Sequence, residues 1–251
     1  MAKVEWAVEG AVRHVLLNRP EKRNALDFEM MAELEAAFTA PAAANERVAV
    51  IRAAGTVFCA GLDLKERGSR PTGASPIESM LHAIESYPLP VVALVEGDAI
   101  AGGCELALHA DIVVATLSAR FAMPLAQLGM SPSWFLAKKL LETAGPVVTR
   151  QILLLGDPVT AERLHDLGVI GFCAEAGEFA RLSESVIARL AGNAPLSLRA
   201  MKALVSRGMA FRDGIAHADV DAMVEAARSS RDCQEGIKAR LEKRRPNFTG
   251  I

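Results

Sequence analysis

The chain has 251 residues, of which 51% are hydrophobic and 23% charged, a length and composition that can bury a large core and exclude a disordered chain. Its 28 Lys and Arg stand against 30 Asp and Glu, a net charge of −2, so the charge balance gives no reason to expect nucleic acid or an anionic membrane as a partner. The four cysteines, Cys59, Cys104, Cys173 and Cys233, are far apart with no CxxC pair, which argues against zinc and reads as free thiols of a reducing compartment, the cytoplasm.

The N-terminal "MAKVEWAVEG" has no basic region followed by an apolar stretch, and the apolar run "VVALV" ends at Glu96 and Gly97, well short of a membrane span. A soluble, unprocessed protein is the expectation. "KVEWAV" and "VRHVLLN" read as strands of a hairpin around "EGA", and "FEMMAELEAAF" as a helix with Asp27 as N-cap. "RVAVIRA" follows as a buried strand, then the loop "AGTVFCAGLDL", a Pro/Gly/Ser-rich stretch at 68–76, the helix "IESMLHAIESY" and a second buried strand "VVALVEG". "DIVVAT" continues this βαβ alternation; from about Pro146 the chain reads as mostly helix, with "VIGFCAE" as a late strand and a last helix opened by Asp232, with Glu235 completing a capping box. The expected fold class is α/β with a helical C-terminal region.

The five histidines show no HExxH spacing and no Ser sits in GxSxG, so metal hydrolysis and the commonest serine hydrolase motif lack support, and each His reads as a surface or core residue. The stretch "GDAIAGGCELALHADI", 97–112, is different. Gly102 and Gly103 precede a helix whose first N–H groups have no partner of their own, and Glu105 falls on its first turn. An oxyanion donor and an acid/base carboxylate would then meet on one small molecule. Taken alone, "AGGCE" reads better as a tight turn with a Glu that complements the helix dipole or completes a cap. A second glycine-containing segment, "FCAGLDLKE" at 58–66, tips the reading toward a site.

Together, "NRPEKRNAL" (18–26), "FCAGLDLKE" (58–66), "PVVALVEGDAIAGGCELALHADI" (90–112) and "EKRRPNF" (242–248) resemble the crotonase, or enoyl-CoA hydratase/isomerase, superfamily, in order and over nearly the whole chain. The resemblance implies a crotonase-like spiral of ββα turns over residues 1–190, followed by a helical region at 191–251 that supports trimerisation and covers the site. It implies an acyl-CoA thioester as substrate, a homotrimer or hexamer, and no cofactor apart from the coenzyme A of the substrate itself. It puts an oxyanion hole on the backbone N–H groups of Leu62 and Gly102 and the acid/base role on Glu105. Coenzyme A would be met by Lys22, Arg23 and Ala25, by Ala60, Asp63, Leu64 and Lys65, and by Phe248, an aromatic that in the family can reach a neighbouring subunit's site. Without that context Lys22 and Arg23 would read as a solvated turn, and the basic residues of "KARLEKRR" still read as the coat of a helix's outer face.

One departure stands out. Hydratases of this family carry a second catalytic Glu in "FxxPE", where this chain has "FAMPLAQLG" and Leu125; the related isomerases place a Glu after "LGLxP", where this chain has "LGMSPSW" and Ser133. The glycine-rich helix start is replaced by "SPSWFLAKKL", so that Trp134 and Phe135 are expected to reshape the acyl pocket. The resemblance thus implies a hydratase-like lyase relying on Glu105, with an enoyl-CoA isomerase or a non-catalytic acyl-CoA-binding protein as alternatives.

Overall fold

Apolar runs with no polar alternation need cover on both faces, and they become the inner strands of the larger sheet. In the computed structural model, which describes residues 2–65 and 75–250, β1 (Val4–Glu9), β2 (Val12–Leu17), β3 (Val48–Ala53), β5 (Val91–Val95), β7 (Ile112–Thr116) and β10 (Phe172–Ala174) form that six-stranded sheet in this order. Only the β1–β2 hairpin is antiparallel; Glu9 faces Val12 across a two-residue turn. The remaining pairs are parallel, each strand returning through a helical or loop crossover.

Four short strands lie outside the elements expected from sequence. β4 (Val57–Cys59), β6 (Asp98–Ile100), β8 (Arg120–Ala122) and β9 (Val159–Thr160) make a second sheet in that order. β4 lies inside the stretch expected to be loop. Strands of two or three residues pair with segments some 20 to 40 residues away and leave no period to read. Most of the Pro/Gly/Ser-rich stretch at 68–76 lies outside the described residues.

Helices α1 (Phe28–Thr39) and α2 (Pro76–Ser86) pack against each other over the main core cluster. Asp27 caps α1 as expected, its Oδ1 accepting the Met30 N–H at 2.9 Å. The end of α1, the start of β3 and the end of α2 are joined by a buried cluster in which Arg13 Nε lies 3.1 Å from Glu46 Oε1 and the Tyr87 hydroxyl donates to Glu46. α3 (Gly102–Leu108) follows β6 and is buried along its whole length.

Beyond β8, α4 (Trp134–Arg150) is interrupted at Gly145, where φ is +66°, just before Pro146. α5 (Ala161–Asp166) leads to β10, and α6 (Ala176–Gly192) covers the outer face of the six-stranded sheet through Phe179 and Val186. α7 (Pro195–Met209) has no buried residue, and Lys202 ties it to the body by hydrogen bonds to Asp111 Oδ2 at 2.7 Å and the Leu89 carbonyl at 3.2 Å. α8 (Ala218–Ser229) and α9 (Arg231–Leu241) fold back, α9 packing against the turn 126–128.

The expected cap of α9 is displaced by two residues. Ser230 is the N-cap, its Oγ accepting from Cys233 N at 3.0 Å. Asp232 instead accepts the Thr249 and Gly250 N–H groups at 2.7 and 2.8 Å, and Glu235 pairs with Arg244. Both carboxylates pin the C-terminal tail, a job that outcompetes capping because the tail supplies donors close by.

Candidate active site

The two glycine-containing segments meet. Gly61, at φ +88°, follows β4 so closely against the other segment that a Cβ there would lie 2.8 Å from the Ile100 carbonyl oxygen and 3.2 Å from Gly102 N. Gly103 is still tighter: a Cβ would sit 2.2 Å from the Cys59 carbonyl oxygen. Glycine at both positions lets α3 start directly against the end of β4.

Two backbone N–H groups flank this contact. The Leu26–Leu62 bridge uses the Gly61 carbonyl, which accepts from Leu26 N at 2.8 Å, and the Asp63 N–H, which donates to Leu26 O at 2.9 Å; the Leu62 N–H stays outside it. Gly102 is the first residue of α3, so its N–H has no partner within the helix. The preceding Ala101 has φ +50° and ψ −116°, a conformation costing an Ala about 1–3 kcal/mol. Strain of this kind persists where the surrounding structure holds it, here by the Ala101 N–H bonded to the Ala122 carbonyl at 2.7 Å.

Leu62 and Gly102 line one apolar pocket of about 220 Å³ together with Glu105. Ala60, Asp63 and Leu64 also line it, with apolar side chains that include Leu26, Phe28, Ile77, Leu125, Leu128 and Leu136. Glu105 is 1% exposed, and among the described residues neither carboxyl oxygen has a hydrogen-bond partner. Burial therefore holds its carboxyl well above the usual carboxylate range, with only partial relief from Lys139. The nearest basic side chain is His109, one helical turn on, with Nδ1 3.8 Å from Oε2. Burial pushes His109 down to about 4, so its imidazole is neutral and forms no ion pair with Glu105.

Other expected residues fall less evenly. Lys22 and Arg23 sit on an exposed turn at Pro20–Lys22 and do not line the pocket, nor does the exposed Lys65. What "NRPEKRNAL" does here is structural. Buried Asn24 donates to the Ala54 and Val57 carbonyls at 2.8 and 2.9 Å, and Arg19 bonds Ala25 O at 2.8 Å and Asp63 Oδ2 at 3.0 Å. The Arg23 carbonyl accepts the Ala60 N–H at 3.0 Å. These bonds fix the Ala60–Asp63 segment, and hence the Leu62 N–H, against Leu26. Phe248 lies in a neighbouring depression with Pro124, Leu128 and Arg240, three residues that also line the main pocket.

Leu125 lines the pocket. Ser133 and Trp134 do not. Trp134 stacks on His217 at 5.2 Å and Phe135 on His109 at 5.3 Å, so these aromatics pack between α4 and its neighbours instead of filling the acyl space. Glu78 on α2 and Arg228 and Arg240 on α8 and α9 do line the pocket and were not anticipated. No motif surrounds them, and only the packing of α2 and the return of the last two helices bring them there.

All four cysteines are free, and burial raises the Cys59 thiol to about 12. Among the described residues no His, Cys, Asp and Glu cluster is suited to a metal, and no helix is long and apolar enough to cross a membrane.

Comparison with known proteins bears on the chain as a whole. A family model described as enoyl-CoA hydratase/isomerase matches residues 7–250. A putative enoyl-CoA hydratase of Thermus thermophilus is 34% identical, covering 99% of this chain and 100% of its own. A 1,2-epoxyphenylacetyl-CoA isomerase of Escherichia coli is 33% identical over 97% of each. Among solved structures, a methylmalonyl-CoA decarboxylase in complex with 2-nitronate-propionyl-CoA superposes with a TM-score of 0.91 at 26% identity, covering 99% of this chain and 98% of that one.

Proposed function

The chain belongs to the enoyl-CoA hydratase/isomerase family, and from that premise we propose that it adds water reversibly to a 2-enoyl-CoA thioester, with Glu105 as its acid/base group. One observation carries the reading: a buried carboxyl with neither oxygen engaged among the described residues belongs to a residue that lines the same apolar pocket as Leu62 and Gly102. In this reading the thioester oxygen rests on those two N–H groups. As water attacks the β-carbon, negative charge moves onto that oxygen and the fixed donors stabilise it more than the ground state. The attacking water gives a proton to the Glu105 carboxylate, and the carboxyl returns one to the α-carbon; the sum is addition of H and OH across the double bond.

A raised carboxyl suits the donating half of this cycle and makes the accepting half depend on pH, since only the ionised fraction can activate water. Leu125 gives a specific reason for a second reading. Moving a double bond between the 3- and 2-positions takes one proton from the α-carbon and returns one to the γ-carbon, a task a single carboxylate performs without an opposing acid. Incubation with crotonyl-CoA and with 3-hexenoyl-CoA, products being identified by mass and chromatography, tests the proposal. Hydration of the first supports it, isomerisation of the second alone selects the alternative, and tight binding with no product from either leaves an acyl-CoA-binding protein.

We also propose a trimer or hexamer. α7 presents Leu196, Leu204 and Val205 to solvent at 77, 72 and 67% exposure, an apolar surface that fits contact with another copy.

A further inference from the structure

We propose that His109 is the positioning residue of Glu105, its Nδ1–H turning from a backbone carbonyl to Oε2 when the carboxyl loses its proton. The inference rests on Glu105 being the reactive group of the pocket and adds to that reading a named partner for its charged form.

Spacing i, i+4 on α3 places the two side chains on one helix face. His109 Nδ1 lies 2.8 Å from the Glu105 carbonyl oxygen; a carbonyl only accepts, so the proton is on Nδ1 and Nε2 carries none. That carbonyl already accepts the His109 backbone N–H at 2.9 Å. The Nδ1–H is therefore surplus there, and withdrawing it leaves the helix bond intact. Oε2 is 3.8 Å away, so closing about 1 Å makes a normal hydrogen bond. Phe135 stacks on the imidazole at 24° between planes, so the ring has an aromatic neighbour to pack against as it turns.

The need for this donor is severe, because an ionised carboxylate in a buried site without hydrogen bonds is strongly disfavoured. Among the described residues no other basic side chain comes within 4.0 Å of Glu105. Glu105 shares its pocket with Asp63, Glu78, Arg228 and Arg240, and the charged and titratable groups near the pair also include Cys104 on α3, Glu85 on α2, and Lys138 and Lys139 on α4. Lys139 is engaged with Glu85 at 2.8 Å and Lys138 with Asp213; Lys139 acts on Glu105 through its field alone and donates no hydrogen bond to it. His109 itself stays neutral, and it acts as a donor with its proton retained throughout, not as a counter-charge.

Substitution separates this role from packing. Asn carries an amide N–H near the position of Nδ1, and His109→Asn is expected to keep the function; His109→Leu fills space without a donor. Infrared titration of the Glu105 carboxyl band, identified by its loss in Glu105→Gln, should show the midpoint about one pH unit higher in His109→Leu and near the parent's in His109→Asn. With crotonyl-CoA, kcat should fall about tenfold in the Leu variant at unchanged KM and recover in the Asn variant. The parent gives a further reading that needs no variant to fold: in protein labelled at histidine nitrogen, the His109 Nδ1–H resonance should move as Glu105 ionises. Equal midpoints in parent and Leu variant, equal shifts in Leu and Asn variants, or an unresponsive Nδ1–H resonance would overturn the proposal. Because titration and resonance need no turnover, a protein that hydrates nothing would refute the proposed reaction while leaving His109 to be judged on these two measurements.

Discussion

Replacing Gly103 with Ala would test whether the contact between β4 and α3 builds the site. The added Cβ would meet Cys59 O at 2.2 Å and both Cys59 C and Cys59 Cβ at 2.8 Å, whereas non-bonded carbons settle at roughly 3.5–4.0 Å. Most of the opposing atoms are backbone, so the strand end and the helix must separate by about 1 Å, and overpacking of this kind costs about 1–3 kcal/mol. The gain of about 0.5–1 kcal/mol from removing a helical glycine offsets part of it. A net loss of about 1–2 kcal/mol is expected in urea unfolding. Function should suffer more than stability, since Leu62 follows the strand and Gly102 begins the helix, and about 1 Å of misplacement can cost about 100-fold in turnover. Gly102→Ala is the contrast, because its Cβ would meet Ile77 Cδ1 at 3.1 Å and Leu26 Cδ1 at 3.4 Å, both side-chain ends that can give way. A Gly103→Ala protein with parental stability and turnover of crotonyl-CoA would refute the reasoning.

Other expectations follow from the same groups. Unfolded Glu105 ionises near 4.5 while the folded carboxyl holds its proton to higher pH; between those values the folded state binds the extra proton, so this contribution is full below 4.5 and declines as pH rises. The parent should therefore lose stability relative to Glu105→Gln by up to about 1.4 kcal/mol per pH unit in that window, and parallel urea-midpoint profiles as pH rises from 4.5 would contradict it. Leu125→Glu should raise crotonyl-CoA hydration, by about 100-fold if it acts as an acid opposite Glu105, and a gain that survives Glu105→Gln would show that Glu105 is not its partner. Light scattering at micromolar concentration should give a trimer or hexamer for the parent and smaller species for Leu204→Glu; a parental monomer would sink the assembly proposal.

Long apolar runs such as "VAVIRA" and "VVALV" were legible because burial on both faces leaves its mark on every residue. β4, β6, β8 and β9 were not, since each has two or three residues and is defined by a partner far along the chain. Local chemistry could place a cap at Asp27, but it chose Asp232 over Ser230 because the tail that claims Asp232 is distant in sequence and close in space. The site divides in the same way. Leu62, Gly102 and Glu105 lie in contiguous motifs, whereas Glu78 reaches the pocket through helix packing and His109 looked like an ordinary residue of an apolar helix. Basic character drew the eye to Lys22 and Arg23, while Arg19 and Asn24, whose hydrogen bonds hold the Leu62 segment, gave no such signal.

The central claim is that Glu105 moves the proton and does not bind the thioester. Glu105→Gln is nearly isosteric, so rapid-mixing turnover of crotonyl-CoA and equilibrium binding of the same thioester should be measured on parent and variant together. The account predicts affinity within a few-fold of the parent and a rate lower by at least about 100-fold; a variant that folds, binds and hydrates as fast as the parent would contradict it.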